Sequence, residues 1–289
     1  MKVLAALLSR PLGDTACRSR LTSMQPHLKR TARKASDDPL LQGLARAGFA
    51  ASGVIHIGVG VLAIVIASGG RGEADQSGAL KAIASVPAGF VVLWIIAVGL
   101  FALGVWYIVE GLLPSGSDAS RWKHRLSAWG KAAGYIAVGL ITVVVAVGGR
   151  PNSERTAQNA GSGLLRVPGG PVILGVVGVG ITLIGLYFGW RGVTRGFRDD
   201  LATPDGPAGT GVIVIGVVGY VAKGVALVAV GVLLAVAAIK VDPSATGGID
   251  RALVALVALP YGPVLVDGIG GGLILYGLYM FVRTFRARM

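Results

Sequence analysis

Four ionisable side chains lie inside otherwise apolar stretches of the sequence, where a charge is costly and usually has a partner or a function. Asp267 lies in PYGPVLVDGIGGGLILYG, His56 lies in the first apolar run, and Lys131 and Lys223 occupy matching positions in two other runs. A carboxylate and an imidazole at membrane depth could carry protons or bind an ion, and lysines could attract an anion. These four residues form the candidate intramembrane polar site.

Each candidate also has a structural interpretation. Asp267 lies near a helix start, where the helix dipole favours an anion, so it is either tolerated there or part of a pathway or binding site. His56 either bonds to a backbone carbonyl as a packing residue or pairs with Asp267 in proton transfer. Lys131 and Lys223 either extend to lipid headgroups or line a cationic vestibule. The sequence leaves these alternatives open.

The composition places the four residues in a membrane protein. Of the 289 residues, 53% are hydrophobic and 14% are charged, whereas soluble domains carry about 25% charged residues. The net charge of +13 comes from 27 Lys and Arg against 14 Asp and Glu, but no segment is long enough to be a separate basic nucleic-acid domain. The single cysteine, Cys17, excludes an internal disulfide and a cysteine metal cluster.

Six apolar segments are long enough to cross a hydrocarbon core, which needs roughly 20 helical residues. This predicts an all-α polytopic membrane protein. Connectors such as ALKAIASVP and IDRALVALVALP predict short amphipathic pieces that are re-entrant or lie on the membrane surface. The six segments lie near residues 48–69, 88–112, 130–149, 169–190, 212–239 and 262–283.

The six segments form three tandem repeats of a helix pair. The second segment of each pair begins with Pro87, Pro168 or Pro260, and proline suits the first turn of a helix because its missing N–H has no partner there anyway. Glycines recur at matched positions in all three copies, and such glycines mark the faces where membrane helices approach closely. We therefore predict a pseudo-threefold bundle. Its expected packing positions are Gly60, Gly139, Gly231, Gly99, Gly180, Gly272, Gly104, Gly185 and Gly277.

The repeats divide the chain into residues 45–113, 125–198 and 212–289, the last with a basic C-terminus, after a basic arm at 1–44 that we expect to be disordered. Its opening MKVLAALLS has little likeness to a cleaved signal peptide, and Met24 is an alternative start. Most Lys and Arg lie in the arm, the second and fourth connections and the C-terminus. The positive-inside rule then places both termini in the cytoplasm, where basic segments would contact anionic lipid headgroups.

A motif recurs at the start of the first helix of each pair, with the pattern G-[FY]-x-A-[basic/small]-G, followed by the proline-led second helix with its glycines and an aromatic column. This pattern resembles a bacterial membrane family common in actinobacteria, the domain-of-unknown-function family numbered twelve hundred and six, over residues 45–286. The resemblance implies six membrane helices, a plasma-membrane location and no established activity. The second copy of the motif, WGKAAGY, departs from the pattern.

The sequence carries no enzyme motif of the types GxSxG, HExxH, Walker loop or CxxC, and its three histidines lack metal-ligand spacing. We therefore expect no enzyme and no cofactor, and interpret the chain as a structural or accessory component of the bacterial plasma membrane. The alternative is a small-solute or ion transporter or channel that uses Asp267 and His56, because internal repeats are common in transporters. A lipid-modifying enzyme would need a catalytic pair that the sequence does not show.

Overall fold

The computed structural model describes residues 38–113, 118–201 and 206–287, and these are almost entirely helical. Predictions about Cys17, Met24 and the rest of the arm up to residue 37 lie outside the described residues. The nine α-helices within the described ranges confirm an all-α membrane protein, and six of them are long and apolar enough to cross a bilayer. The helices are α1 Pro39–Ala67, α2 Gln76–Ala84, α3 Gly89–Leu112, α4 Asp118–Ala146, α5 Ser153–Leu165, α6 Gly170–Val193, α7 Pro207–Lys240, α8 Ile249–Val257 and α9 Gly262–Arg286.

The first helix begins earlier than the apolar pattern indicates. The Asp38 carboxylate accepts a hydrogen bond from the Leu40 N–H at 2.8 Å, and Pro39 occupies the first turn. These are standard features of a helix N-terminus. Residues 39–44, which the sequence assigned to a disordered arm, therefore belong to α1.

Each repeat consists of a long helix, a short helix and a second long helix, joined by the same tight turn. The short helices α2, α5 and α8 are the predicted amphipathic connectors. The residue before each second long helix has a positive φ angle, at Ala88, Gly169 and Tyr261. A side chain at the next position would collide with a carbonyl oxygen of the short helix, which explains the glycine shared by all three copies. The repeat prolines precede this turn, so they are not first-turn residues as predicted.

The long helices form a ring in which all but one pair of neighbours pack together. α1 packs between α3 and α9, α3 packs against α4, and α7 packs between α6 and α9. An exact threefold arrangement would also pair α4 with α6. Those two helices, both inside the described ranges, show no comparable packing. The bundle is therefore a pseudo-threefold ring with a gap between α4 and α6.

Glycines form the contacts between neighbouring repeats. α1 crosses α9 where Gly60 meets Gly270 and Gly53 meets Gly277, and a Cβ at Gly60 would lie 2.5 Å from the Gly270 carbonyl oxygen. Such crossings let backbones approach closely without water or lipid between them. Matching glycines at the other two crossings between repeats are Gly104, Gly139, Gly178, Gly185, Gly224 and Gly231.

The short helices close the ring on one side of the membrane, which we call the short-helix side. A side chain in the first turn of each short helix accepts a hydrogen bond from a backbone N–H at the start of the next repeat's short helix. This cycle ties the three repeats together at the short-helix side. The acceptors are Ser77, Glu154 and Asp250, and the donors in the same order are Ser153, Gly248 and Ala74, at 3.2, 3.0 and 2.8 Å.

Candidate functional site

A cavity of about 230 Å³ lies on the axis of the ring, and we call it the axial cavity. Matched positions in the first long helix of each repeat form most of its wall, and α3 and α9 add the matched leucines Leu100 and Leu273. All residues of α6 are described, yet none of them lines the cavity. The matched wall residues are Ile55, Gly134 and Ala226 in one set and His56, Tyr135 and Leu227 in the next.

Two of the sequence candidates meet inside this cavity. The Lys223 ammonium lies 3.2 Å from His56 Nε2, and His56 Nδ1 lies 2.7 Å from the Ser52 carbonyl oxygen. When Lys223 is protonated, its ammonium can only donate, so Nε2 accepts and the ring proton is on Nδ1, which donates to Ser52. In that state the imidazole is neutral and hydrogen-bonded on both nitrogens, and Lys223 carries the charge.

Aromatic rings surround the ammonium in place of a carboxylate. Lys223 Nζ lies 4.3 Å from the centroid of the Tyr276 ring and 5.2 Å from that of Phe188, both within cation–π range. No acidic side chain in the described part of the chain forms an ion pair with Lys223. The protonated lysine is thus partly stabilised by an imidazole and aromatic faces, but has no counter-ion among the described residues.

A layer of buried aromatic residues separates the axial cavity from the other end of the bundle, which carries Pro39 and Arg286 and which we call the terminal side. Tyr220 contacts Phe197, Tyr276 and Tyr279, with ring centroids 5.2 to 5.4 Å apart. All four side chains are less than 5% exposed. Close-packed rings of this kind form a largely apolar barrier between the cavity and the terminal side.

A charged cluster lies beyond that layer, at the terminal side, and sequence analysis did not identify it. Arg191 donates to Asp200 at 2.7 Å, and Arg283 lies 3.4 Å from the same carboxylate and donates to the Tyr107 hydroxyl at 3.3 Å. Arg191 and Arg283 occupy one matched position in the repeats, where the first copy has Glu110. That shared charged position is the sequence signal that could have revealed the cluster.

Lys131 belongs to this terminal cluster and not to the axial cavity. Its ammonium lies 5.0 Å from the centroid of the Tyr107 ring, in a cavity of about 270 Å³ that Glu110 and Arg283 also line. The predicted vestibule formed by Lys131 and Lys223 together is therefore wrong. The headgroup-anchor interpretation is also wrong for Lys223, because its side chain is turned inward to His56.

Asp267 lies on the outer surface of α9, with no hydrogen bond or ion pair to any described residue. Its neighbours Val264, Leu265 and Gly268 are exposed on the same face. The proposed pairing of Asp267 with His56 is thus wrong, because the two side chains lie on opposite sides of the helix wall. The partner of His56 is Lys223.

The described residues contain no group of three or more His, Cys, Asp or Glu side chains arranged to hold a metal ion. What the axial cavity offers a ligand is hydrogen-bond donors, the Lys223 side chain and apolar surface. These features suit the binding of an apolar molecule that has an acceptor or anionic group.

Comparison with known proteins places the chain in a family. The model of the family described as Domain of Unknown Function (DUF1206) matches three times, at residues 47–113, 126–195 and 218–287. A curated relative, the uncharacterized protein YxxB of Bacillus subtilis (strain 168), is 28% identical over 259 residues, which cover 86% of this chain and 92% of that protein. No solved structure gives a significant match. The three matches coincide with the three structural repeats, and the chain is an integral membrane protein that belongs to the DUF1206 family.

Proposed function

We propose that this protein is a non-enzymatic accessory component of the bacterial plasma membrane that binds a ligand from the bilayer in its axial cavity. One observation carries the proposal: Lys223, which forms no ion pair with an acidic side chain among the described residues, contacts His56 inside a mostly apolar cavity. An ammonium at membrane depth is costly and is rarely kept without a role.

The position of the cavity supports a ligand from the membrane over one from water. The interlocked short helices cover one end, with Gln76 and Ile249 lining the cavity there, and the buried aromatic layer covers the other. The remaining side is the gap between α4 and α6, which opens in the plane of the bilayer. A molecule dissolved in lipid can reach this gap without crossing a polar surface.

We also propose that the terminal side faces the cytoplasm. The basic residues concentrate at that side, in the arm, in the first turns of α4, at and after the end of α6 and at the C-terminus, as the positive-inside rule requires. These segments would attract anionic lipid headgroups, at about 1 kcal/mol for each Lys or Arg near the surface. A fusion of alkaline phosphatase after residue 287 would be inactive under this orientation, and an active fusion would contradict it.

The geometry does not favour a transporter based on Asp267 and His56, because those residues share no cavity. A transport pathway also needs alternating access to water on both sides. The two ends of the axial cavity are instead closed by the short helices and by Tyr220, Tyr276 and Tyr279.

Photolabelling with a small uncharged adamantyl diazirine tests the binding function. With the protein in lipid nanodiscs, we expect adducts on cavity-lining residues such as Tyr135 and Leu227. The Leu227→Trp variant, which fills the cavity, should lose these adducts. The matched control is Val225→Trp on the same helix, because Val225 is 39% exposed on the outside of the bundle. Labelling confined to outward-facing residues would overturn the proposal.

A second measurement separates binding from transport. Leu227→Cys in a Cys17→Ser background places the only thiol in the axial cavity. A charged methanethiosulfonate reagent added from either aqueous side should fail to modify it. Rapid modification would reveal a water pathway and favour the transporter alternative.

A further inference from the structure

The gap between α4 and α6 exposes positions that are buried in the other two repeats. In repeats 1 and 3, Ile96 and Ile269 are each 3% exposed, whereas the matched Val177 of α6 is 44% exposed. Tyr276 is 4% exposed, and its counterpart Ile184 is 52% exposed. The face of α6 that would pack against α4 is therefore bare and apolar.

The opposite wall of the gap is equally open. Gly130 and Gly134 of α4 correspond to Ala51 and Ile55 of α1, which are buried at 6% and 3% exposure. A Cβ added at either glycine would meet no atom within 4 Å. Gly134 also lines the axial cavity. The gap thus leads from the lipid-facing surface into the space where Lys223 lies.

The charge inside the cavity defines what the gap can admit. Lys223 has no carboxylate partner among the described residues, and its contacts are the neutral His56 and the rings of Tyr276 and Phe188. An ion pair is stable away from water only when both charges are present and well placed. An anionic group that enters the cavity would complete such a pair, whereas an inserted partner helix with only apolar side chains would leave Lys223 unpaired.

The size of the cavity allows only the end of a long-chain molecule to enter. Pockets for complete small ligands usually measure about 300–1,000 Å³, and the axial cavity of about 230 Å³ is smaller. An unbranched chain attached to the anionic group would therefore extend out through the gap, along the bare faces of α4 and α6. Hydrocarbon is the chain chemistry that those apolar faces fit.

We propose that the α4–α6 gap admits a long-chain carboxylate, with its carboxylate on Lys223 and its hydrocarbon chain between the two helices. This inference rests on the proposed ligand-binding function and names the class of ligand. Lys223 and His56 recognise the head, and the helix faces that carry Gly134 and Ile184 hold the chain.

Photocrosslinking with a fatty acid that carries a diazirine in its chain tests the proposal on the full-length protein in nanodiscs. We expect adducts on α4 and α6 at the gap. Unlabelled oleate should prevent these adducts at a concentration at least tenfold lower than the concentration of oleyl alcohol that has the same effect. Lys223→Gln should weaken the competition by oleate at least tenfold and leave that by oleyl alcohol unchanged.

Lys131→Gln is the matched control, because Lys131 occupies the same repeat position but lies in the terminal cluster. It should bind the probe as the unchanged protein does.

A thermal unfolding scan of each variant identifies those that retain the fold. If Lys223→Gln unfolds, His56→Leu provides a second variant that alters the head site.

The outcomes separate this inference from the proposed function. Equal competition by oleate and oleyl alcohol, or no effect of Lys223→Gln, would overturn the carboxylate inference while ligand binding stands. Absence of crosslinks at the gap by both the fatty acid and the adamantyl probe would overturn both. Competition by phospholipid with a phosphate headgroup but not by oleate would assign the site to a different anion and would also overturn the inference.

Discussion

Arg283 and Asp200 lie 3.4 Å apart at the terminal side, where they connect the last membrane helix to the segment after α6. Arg191 shares the same carboxylate at 2.7 Å, and the Arg283 guanidinium lies 4.4 Å from the centroid of the Phe49 ring. One carboxylate therefore joins α6, α9 and, through Phe49, α1. The cluster fixes the end of the bundle below the buried aromatic layer.

Replacement of Asp200 by alanine should destabilise the protein. It leaves two arginines without their shared acceptor, and a hydrogen bond to a charged group contributes about 1.5–3 kcal/mol. We expect a lower unfolding temperature in detergent, measured by tryptophan fluorescence. The adjacent Asp199 is exposed, so Asp199→Ala is the matched control and should unfold as the unchanged protein does. Equal unfolding temperatures for both variants would contradict a structural role of the cluster.

His56 and Lys223 should show strong coupling in a double-mutant cycle. His56→Leu leaves the ammonium without its acceptor and should cost about 1–3 kcal/mol. Lys223→Met removes the charge itself, so the addition of His56→Leu to Lys223→Met should cost much less. Unfolding free energies of the four proteins give the coupling. Additive effects would mean that the hydrogen bond between the two side chains contributes nothing to stability.

The sequence was sufficient for most of the fold. Long apolar segments and recurring glycines predicted six helices in three repeats, because helix length and close packing depend on local composition. The gap between α4 and α6 could not be predicted from the repeat alignment, since Gly180 matches Gly99 and Gly272 in sequence. A Cβ at Gly180 meets nothing within 4 Å, whereas the other two lie in helix contacts. Gly180 is therefore the one predicted packing position that the structure leaves open.

A physical reason for this gap is visible in α4. Where α1 has Ala51 and Ile55, α4 has Gly130 and Gly134. The face that would meet α6 lacks the side chains that fill the equivalent contact in repeat 1, so less surface is available for packing. A single sequence shows these substitutions but does not show which helix they face.

The candidate site was predicted only in part, because depth can be read from a sequence but direction around a helix cannot. His56 and Asp267 were matched by depth, yet they point to different sides of the helix wall. Asp267 occupies the same repeat position as Trp94, which is 39% exposed. The His56–Lys223 pair joins the first and third repeats, so it depends on the order of helices in the ring.

A glycine at a crossing between repeats should tolerate no side chain. Gly60→Ala should destabilise the protein by about 1–3 kcal/mol, since overpacking forces the backbones of α1 and α9 apart. Gly271→Ala on α9 is the control, because a Cβ there meets nothing within 4 Å. Unfolding temperatures of the two variants in the same detergent provide the comparison, and equal values would show that the crossing is not tight in the membrane.

Asp267→Asn should leave both stability and membrane permeability unchanged, because the side chain faces outward and has no hydrogen-bond or ion-pair partner among the described residues. Proteoliposomes that contain the variant, the unchanged protein or His56→Phe should show the proton leak of empty vesicles. A proton flux that depends on both Asp267 and His56 would restore the transporter alternative and contradict the ligand-binding function.

The short-helix ring should make stability depend on pH through Asp250. Burial raises the pKa of this carboxyl above its ordinary value of 3.8, the hydrogen bond from Ala74 opposes that shift, and the nearby carboxylates of Glu154, Asp75 and Glu73 add to it. A raised pKa means that the folded protein binds the proton more tightly than the unfolded chain. Stability therefore falls as the pH rises from the ordinary carboxyl pKa through the raised one.

Asp250→Asn keeps an oxygen for the Ala74 N–H and removes the ionisable group. We expect this variant to gain stability relative to the unchanged protein at neutral pH, and we expect the gain to shrink as the pH falls toward 3.8. Unfolding in detergent at a series of pH values measures the difference. Asp199→Asn on the terminal side is the control for the loss of one negative charge. A gain that grows toward acid pH would mean that the ionised Asp250 stabilises the ring, because then the hydrogen bond from Ala74 would outweigh burial and the neighbouring carboxylates.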